Sequence, residues 1–325
     1  SLEDKLVATK TTEPWITTIT IPAPLKGEIS AIRAVATLDD GTIAEDLRFV
    51  NAPNDIYLAN VNVDAKELFV VAHDRERVVE GLKSENFEIF EDKKRQVITN
   101  FEFAKNAPIA VGIIVDVSGS MQNSILDVSR VAIGFIDKVI SAKDRGFTMA
   151  FADGADILVP LTADKKRLKL SLSSLRADGW TSFNDAVMSG LWELQDVKGK
   201  RAIVVLSDGR DEGPNGKQRS RYDYESAKQY AAHSGTAIYT IGFNIHEPKT
   251  KKVLEQLASV SGGKAFMVKS IEGLEKVYDE IANELRSQYT ITYLSSSSSR
   301  DWRSVSVKTK PKQYRIRTIP GYFPQ

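Results

Sequence analysis

The chain has 325 residues, with 44 Lys and Arg against 43 Asp and Glu and a formal net charge of +1 at pH 7. That balance gives no electrostatic reason to expect nucleic acid or an anionic membrane as partner. The absence of cysteine excludes a disulfide framework and thiolate zinc sites. No apolar run approaches the ~20 residues of a membrane span, so no transmembrane segment is expected in this length.

Residues 1–107 read as β structure. Residues 15–21 (WITTITI) are rich in β-branched and aromatic side chains. Residues 31–38 and 48–50 follow as strands, with a turn at Asp39-Asp40-Gly41. Residues 61–72 form another strand region, and residues 87–91 and 96–103 predict a hairpin across Asp92-Lys93-Lys94. Short strands at this spacing point to a sandwich, and no helical pattern longer than a turn or two interrupts them.

From Pro108 strands and helices alternate. Residues 109–115 (IAVGIIV) are a nearly unbroken apolar run, the mark of a central parallel strand covered on both faces. Ile125, Val128, Ala132, Phe135, Ile136 and Val139 recur at helical spacing. Residues 147–151 and 155–158 flank Asp153-Gly154 as an antiparallel hairpin. Helices are expected over 165–175, 184–194, 224–233 and 249–259, and strands over 202–206, 237–243 and 264–268. Leu274, Val277, Tyr278, Ile281 and Leu285 mark a closing helix. Such repeated units predict a doubly wound sheet. Residues 289–294, 302–307 and 314–319 alternate as strands again, around the low-complexity loop 295–299.

The chain turns polar at once after Val115. Asp116, Ser118 and Ser120 alternate there, at the carboxyl end of a strand, where open α/β sheets keep their ligand sites. One carboxylate and two hydroxyls are an all-oxygen set suited to a hard cation. Taken alone, D-x-S-x-S is a weak signal and reads first as a polar loop with a helix N-cap.

With DGWTSFNDAV and AIVVLSDG added, the chain resembles a von Willebrand factor type A domain. Asp116, Ser118, Ser120, Thr181 and Asp208 match that family's metal-ion-dependent adhesion site, in order. The resemblance implies a divalent cation, Mg²⁺ first with Mn²⁺ and Ca²⁺ as alternatives, and a protein partner offering an Asp or Glu carboxylate. The segments around residues 1–53 and 61–103 are similar to a bacterial Ig-like module and to the β-rich lead-in of bacterial secreted type A domains. The implied architecture is α/β: a doubly wound, mostly parallel, Rossmann-like sheet inserted in an Ig-like all-β sandwich. Its parts are a partial Ig-like module (1–55), a sandwich lead-in (56–107), the type A domain (108–288) and returning strands (289–325).

Met121, Trp180, Phe183 and Arg210 are candidates for a partner-binding rim round the cation. Arg210, Lys217, Arg219 and Arg221 either steer an acidic partner or form a merely solvated basic loop. Asp211 and Glu212 read as loop charges. G-x-S-x-G and the P-loop pattern are absent, and Ser207-Asp208 lacks the near glycine of a nucleophile elbow, so no enzyme is expected. The alternatives are a helper subunit of an ATP-driven intracellular machine and, behind it, a hydrolase. The expected location is secreted, periplasmic or at the cell surface, with any signal peptide upstream of Ser1.

Overall fold

The computed structural model describes residues 30–37, 43–50, 65–75, 77–105, 107–295 and 301–322. The expected strand at 15–21, the turn at Asp39-Asp40-Gly41 and most of the loop 295–299 lie outside these residues. The chain divides into two compact units, residues 1–62 with Gln325, and residues 63–324. In the first, β1 (Ser30–Thr37) pairs antiparallel with β2 (Ile43–Val50), which begins well before the short strand expected at 48–50.

The second unit opens with β3 (Ala65–Asp74), β4 (Arg77–Val78), β5 (Phe87–Glu91), β6 (Lys94–Gln96) and β7 (Ile98–Phe103). It continues with β8 (Ile109–Asp116), α1 (Ile125–Val139), β9 (Arg145–Phe151), β10 (Ala155–Thr162), α2 (Lys165–Ser173) and α3 (Phe183–Glu193). Then come β11 (Lys200–Ser207), α4 (Tyr224–Ser234), β12 (Ala237–Phe243), α5 (Pro248–Val260), β13 (Ala265–Val268) and α6 (Ile271–Arg286). Four strands close it: β14 (Tyr289–Leu294), β15 (Arg303–Thr309), β16 (Arg315–Arg317) and β17 (Gly321–Tyr322).

The α/β part is a six-stranded sheet in the order β10-β9-β8-β11-β12-β13, parallel except for β10. Every residue of β8 is buried, as a strand covered on both faces requires. Val111, Ile113 and Val115 share one core with the α1 face of Val128, Ala132, Phe135 and Ile136 and with Leu274, Tyr278 and Ile281 of α6. On the other side Phe147 fills the space over Gly112, where a Cβ would stand 2.2 Å from its ring. The chain winds from β8 outward to β9 and β10, then returns to β11 on the other side of β8. The crevice between the carboxyl ends of β8 and β11 is therefore the switch point of the sheet, the place where such folds bind ligands.

The β part has two sheets, β16-β3-β14-β7 with β4 on β3, and β17-β15-β5-β6. They face each other across Leu68, Val70, Phe87, Ile89, Tyr289, Ile291, Val305 and Val307. One expected hairpin is corrected: β5 pairs with the short β6, while β7 crosses to the other sheet and pairs with β14. The alternation of the stretch breaks at Val97, which is 77% exposed, and the residues beyond it follow Tyr289 and Ile291 into the opposite sheet.

β7 leads into the α/β part and β14 leads out of it, with Phe103 opposite Tyr289. The two connections are clasped by side chains. The Asp144 carboxylate accepts from Ile109 N at 2.9 Å and from Arg286, and the buried Lys200 ammonium donates to Ala104 O at 2.8 Å. Farther along α6, the fully buried Glu284 accepts two hydrogen bonds from Arg317 of β16, both 2.8 Å, and meets His73 of β3 at 3.1 Å.

Candidate metal centre

Parallel pairing puts Leu206 opposite Val115, so β8 and β11 end level and present Asp116 and Ser207-Asp208 side by side. Asp116 is fully buried. Its Oδ1 accepts from Ser118 N at 2.9 Å and its Oδ2 from the Ser207 hydroxyl at 2.5 Å. The Ser118 and Ser120 hydroxyl oxygens lie 3.1 Å apart, and Ser120 Oγ donates to Asp208 Oδ1 at 2.8 Å. Asp208, Ser120 and Ser118 thus form one chain of oxygens that reaches Asp116 through the Ser118 side chain, while Ser207 holds Asp116 from its other oxygen.

Thr181 arrives from the loop before α3 and is held by backbone alone, in two 2.9 Å hydrogen bonds with Glu212. Its hydroxyl oxygen lies 3.9 Å from where a Cβ on Gly209 would stand, which brings it to the Asp208 loop. Further backbone bonds lace the loops: Gly119 N to Gly179 O at 3.0 Å, Asp178 N to Val117 O at 2.8 Å, and Ser182 N to Ala152 O at 2.8 Å. Gly179 has φ +83°, and a Cβ there would meet Asp153 Oδ2 at 2.6 Å. Only glycine takes that conformation at no steric cost, so it sets the path of the Thr181 loop.

Burial raises the Asp116 carboxyl to about 6; the hydrogen bonds from Ser118 and Ser207 pull the other way, and the charge of Asp208 adds to the rise. Burial raises Asp208 as well, against the Ser120 hydrogen bond. No lysine or arginine is hydrogen-bonded to either carboxylate among the described residues. Three of the four basic side chains of the neighbouring loop are engaged elsewhere, Arg210 with Glu212 and Glu247, Arg219 with Asp153, and Arg221 with Asp185, while Lys217 is exposed. One buried and one half-buried carboxylate, three hydroxyls and no hydrogen-bonded basic side chain are a donor set that fits a hard divalent cation. No group of three or more His, Cys, Asp or Glu side chains gathers among the described residues, so a softer, nitrogen- or sulfur-based site has no ligands here.

The four rim candidates divide. Trp180 is 44% exposed and Arg210 is exposed. Met121 and Phe183 are buried, and their assignment to a rim is corrected. Met121 is the underside of the turn before α1 and joins the core beneath it. Phe183 opens α3 and stands edge-on to Phe151, with ring centroids 6.2 Å apart.

Three contributors to the site go beyond the sequence motif. Ser207 anchors Asp116, and its place at the polar end of the β11 apolar run was its only signal. Glu212 pairs with Thr181 through its backbone, and Asp211 accepts hydrogen bonds from both Asn184 N and Ser220 N, each at 2.9 Å. No local spacing announces either role.

The model of the von Willebrand factor type A domain matches residues 111–280. A UPF0353 protein of Mycolicibacterium gilvum is 24% identical over 202 residues, which cover 54% of this chain and 60% of that protein. The chain thus spans 60% of the length of this curated relative. Among solved structures, a von Willebrand factor type A protein from Catenulispora acidiphila is similar at a TM-score of 0.49 and 13% identity, covering 81% of this chain and 75% of that one. Proximal thread matrix protein 1 of the mussel byssus, with zinc in its MIDAS motif, is similar at a TM-score of 0.48 and 17% identity, over 59% of this chain and 48% of that one. No helix among the described residues is long and apolar enough to cross a membrane.

Proposed function

The chain belongs to the von Willebrand factor type A family, and from that premise we propose that it is a binding module whose Asp116, Ser118, Ser120, Thr181 and Asp208 hold one divalent cation for a partner protein's Asp or Glu carboxylate. The observation that carries this reading is a buried Asp116 carboxylate and a half-buried Asp208 carboxylate, linked through the Ser118 and Ser120 hydroxyls and without a hydrogen-bonded basic side chain among the described residues. Mg²⁺ suits the all-oxygen set best, with Mn²⁺ and Ca²⁺ as alternatives. When bound, the cation supplies positive charge and a coordination position that a partner carboxylate can fill.

The chain's own residues do the rest. Asp116 and Asp208 bring two negative charges to match a divalent ion, and the serines and Thr181 add oxygens without overloading it with charge. Ser207 holds Asp116 in one orientation by donating to Oδ2. The same bond argues for binding rather than hydrolysis: the Ser207 hydrogen is committed to a carboxylate, and no histidine is bonded to its oxygen. Trp180 and Arg210 stand at the surface as candidates for the rim the partner meets. The flanking sheets serve as an Ig-like carrier, and we place the module outside the cytoplasm, in keeping with a chain free of thiols.

Calorimetric titration of the chain with Mg²⁺ tests the ligand set. One-site binding is expected for the wild type and none for Asp116→Ala, with the melting temperature in chelator retained, because β8 is apolar and packed on both faces. Undiminished Mg²⁺ affinity in Asp116→Ala would refute the assignment, and partner capture that survives chelation would refute the role of the cation in recognition.

A further inference from the structure

Asp211 lies in the loop after β11, beyond Asp208, and its carboxylate is fully used. Oδ1 accepts from Arg219 N at 2.7 Å and from Ser220 N at 2.9 Å. Oδ2 accepts from Asn184 N at 2.9 Å and from the Ser220 hydroxyl. A carboxylate offers about four lone-pair sites, so none is left for a cation in this arrangement. The donors come from two places: the first turn of α3, and the limb of the loop that returns toward α4.

These bonds join the two halves of the site. The α3 N-cap residue, Ser182, makes no side-chain cap, so a backbone N–H that a helix start normally satisfies from its own N-cap is satisfied instead from the Asp208 loop. The Ser220 hydroxyl relays the contact by accepting from Asp185 N at 2.9 Å. Next to Asp211, Glu212 makes its backbone pair with Thr181. Thr181 has no other side-chain or backbone tether to the Asp208 loop among the hydrogen bonds of the described residues.

We propose that Asp211 is a positioning residue: by capping α3 from the Asp208 loop it fixes Thr181 against Asp208, and through that placement it sets the affinity of the site for its cation. The affinity part rests on the metal-binding reading above; the bracket itself does not. The neighbours of Asp211 in the loop also explain why it is not simply one more surface charge. Its negative end faces the positive N-terminus of α3, a helix whose cap it provides.

The test uses Asp211→Asn in the full chain, which keeps the shape but turns one acceptor oxygen into a donor that faces other donors. Mg²⁺ affinity by calorimetry is expected to fall 10- to 100-fold, on the order seen when residues that orient metal ligands are replaced. Water-proton relaxation per bound Mn²⁺ should rise, because water replaces a displaced Thr181 oxygen. The control is Asp164→Ala, which removes the side-chain cap of α2, where Asp164 accepts from Lys166 N and Arg167 N at 3.0 and 3.1 Å. It should leave both readouts unchanged. Ser220→Ala, which removes one of the four donors, should give a smaller loss of affinity and serves if Asp211→Asn does not fold. Wild-type affinity in Asp211→Asn, or an equal loss in Asp164→Ala, overturns the proposal. If the wild-type chain binds neither Mg²⁺ nor Mn²⁺, the metal reading and the affinity part fail together. Amide exchange in chelator then judges the bracket: faster exchange at Asn184 and Ser220 in Asp211→Asn supports it, and unchanged exchange overturns it.

Discussion

Arg317→Met tests how firmly the α/β part is fixed to its β-sheets. Glu284 of α6 has no exposed side-chain surface, and the Arg317 side chain is 15% exposed. That guanidinium gives two hydrogen bonds to the Glu284 carboxylate, beside contacts from His73 and the buried Tyr239 hydroxyl. Removing one partner of a buried ion pair leaves the other charge uncompensated, at a cost of about 3–5 kcal/mol. His73 remains beside Glu284 and Arg317 is not wholly withdrawn from water, so the lower end, about 3 kcal/mol, is expected. At about 2–4 °C per kcal/mol for a unit of this size, the melting temperature should drop by about 6–12 °C. The pH dependence gives a second check. Burial pushes the Glu284 carboxyl up, but the His73 hydrogen bond and the Arg317 charge outweigh it, and the net pKa lies below 4.5. A carboxyl depressed on folding stabilises the fold above its unfolded pKa, and the contribution is lost as pH falls through the folded value. The gap between wild type and Arg317→Met should therefore be full at pH 7 and narrow progressively below pH 4.5. Urea unfolding at pH 7 and in acid measures both. A loss under about 1 kcal/mol at pH 7, the range of an exposed pair, would refute the argument, as would a gap that does not narrow in acid.

Gly179→Ala places a Cβ 2.6 Å from Asp153 Oδ2 at a φ of +83°; it should cost about 1–2 kcal/mol in urea unfolding and weaken Mg²⁺ binding, and unchanged values for both would contradict the role given to the loop. Lys200 is held down to about 8, by burial first and then by the Arg286 charge. A base depressed from 10.5 makes the unfolded chain bind more protons between about 8 and 10.5, so wild-type stability should rise with pH through that window by up to about 3 kcal/mol relative to Lys200→Met. A flat difference between the two proteins over pH 8–10 would count against it. Trp180→Ala should weaken capture of the partner, with Mg²⁺ affinity and melting temperature unchanged, since 44% of the residue faces solvent. A fall in either would mean that the indole supports the loop rather than the partner.

The elements that decide the α/β fold are legible because they depend on local properties. Residues 109–115 and 202–206 are apolar without alternation, and only a strand covered on both faces has that need. The α1 face repeats at helical spacing, and all six of its named residues are buried. Assignment of strands to sheets is less local. β7 looks like the second arm of a hairpin because Asp92-Lys93-Lys94 is a good turn, yet that turn is served by β6 alone. What draws β7 into the other sheet is Tyr289 and Ile291, from the far end of the chain, and no window of sequence contains both partners. For the same reason the C-terminal alternation at 314–319 yields only the three paired residues of β16, where β3 offers an edge.

At the site, the oxygen donors are legible and their support is not. Asp116, Ser118 and Ser120 are a weak signal by their spacing alone, and the structure places Ser118 and Ser120 within hydrogen-bonding distance of each other. Thr181 and Asp208 gain a meaning only in combination with that motif, and the structure brings both to the same loops, Asp208 beside Ser120 and the Thr181 hydroxyl beside Gly209. Exposure is a different matter: Met121 follows Ser120 directly, but the turn that lifts Ser120 to the surface drives Met121 into the core. Phe183 is two residues from Thr181, yet the start of α3 turns it inward against Phe151. Charge misleads in the same way. Arg210, Arg219 and Arg221 form a basic stretch in sequence, and each is spent on a carboxylate of its own chain: Glu212 and Glu247, Asp153, and Asp185. Ion pairing thereby weakens the basic loop as a field for an acidic partner, although the fourth basic residue, Lys217, stays exposed. On the function proposed above, the main attraction for such a partner is the cation held by Asp116 and Asp208, so partner capture is expected to fall when chelator is added.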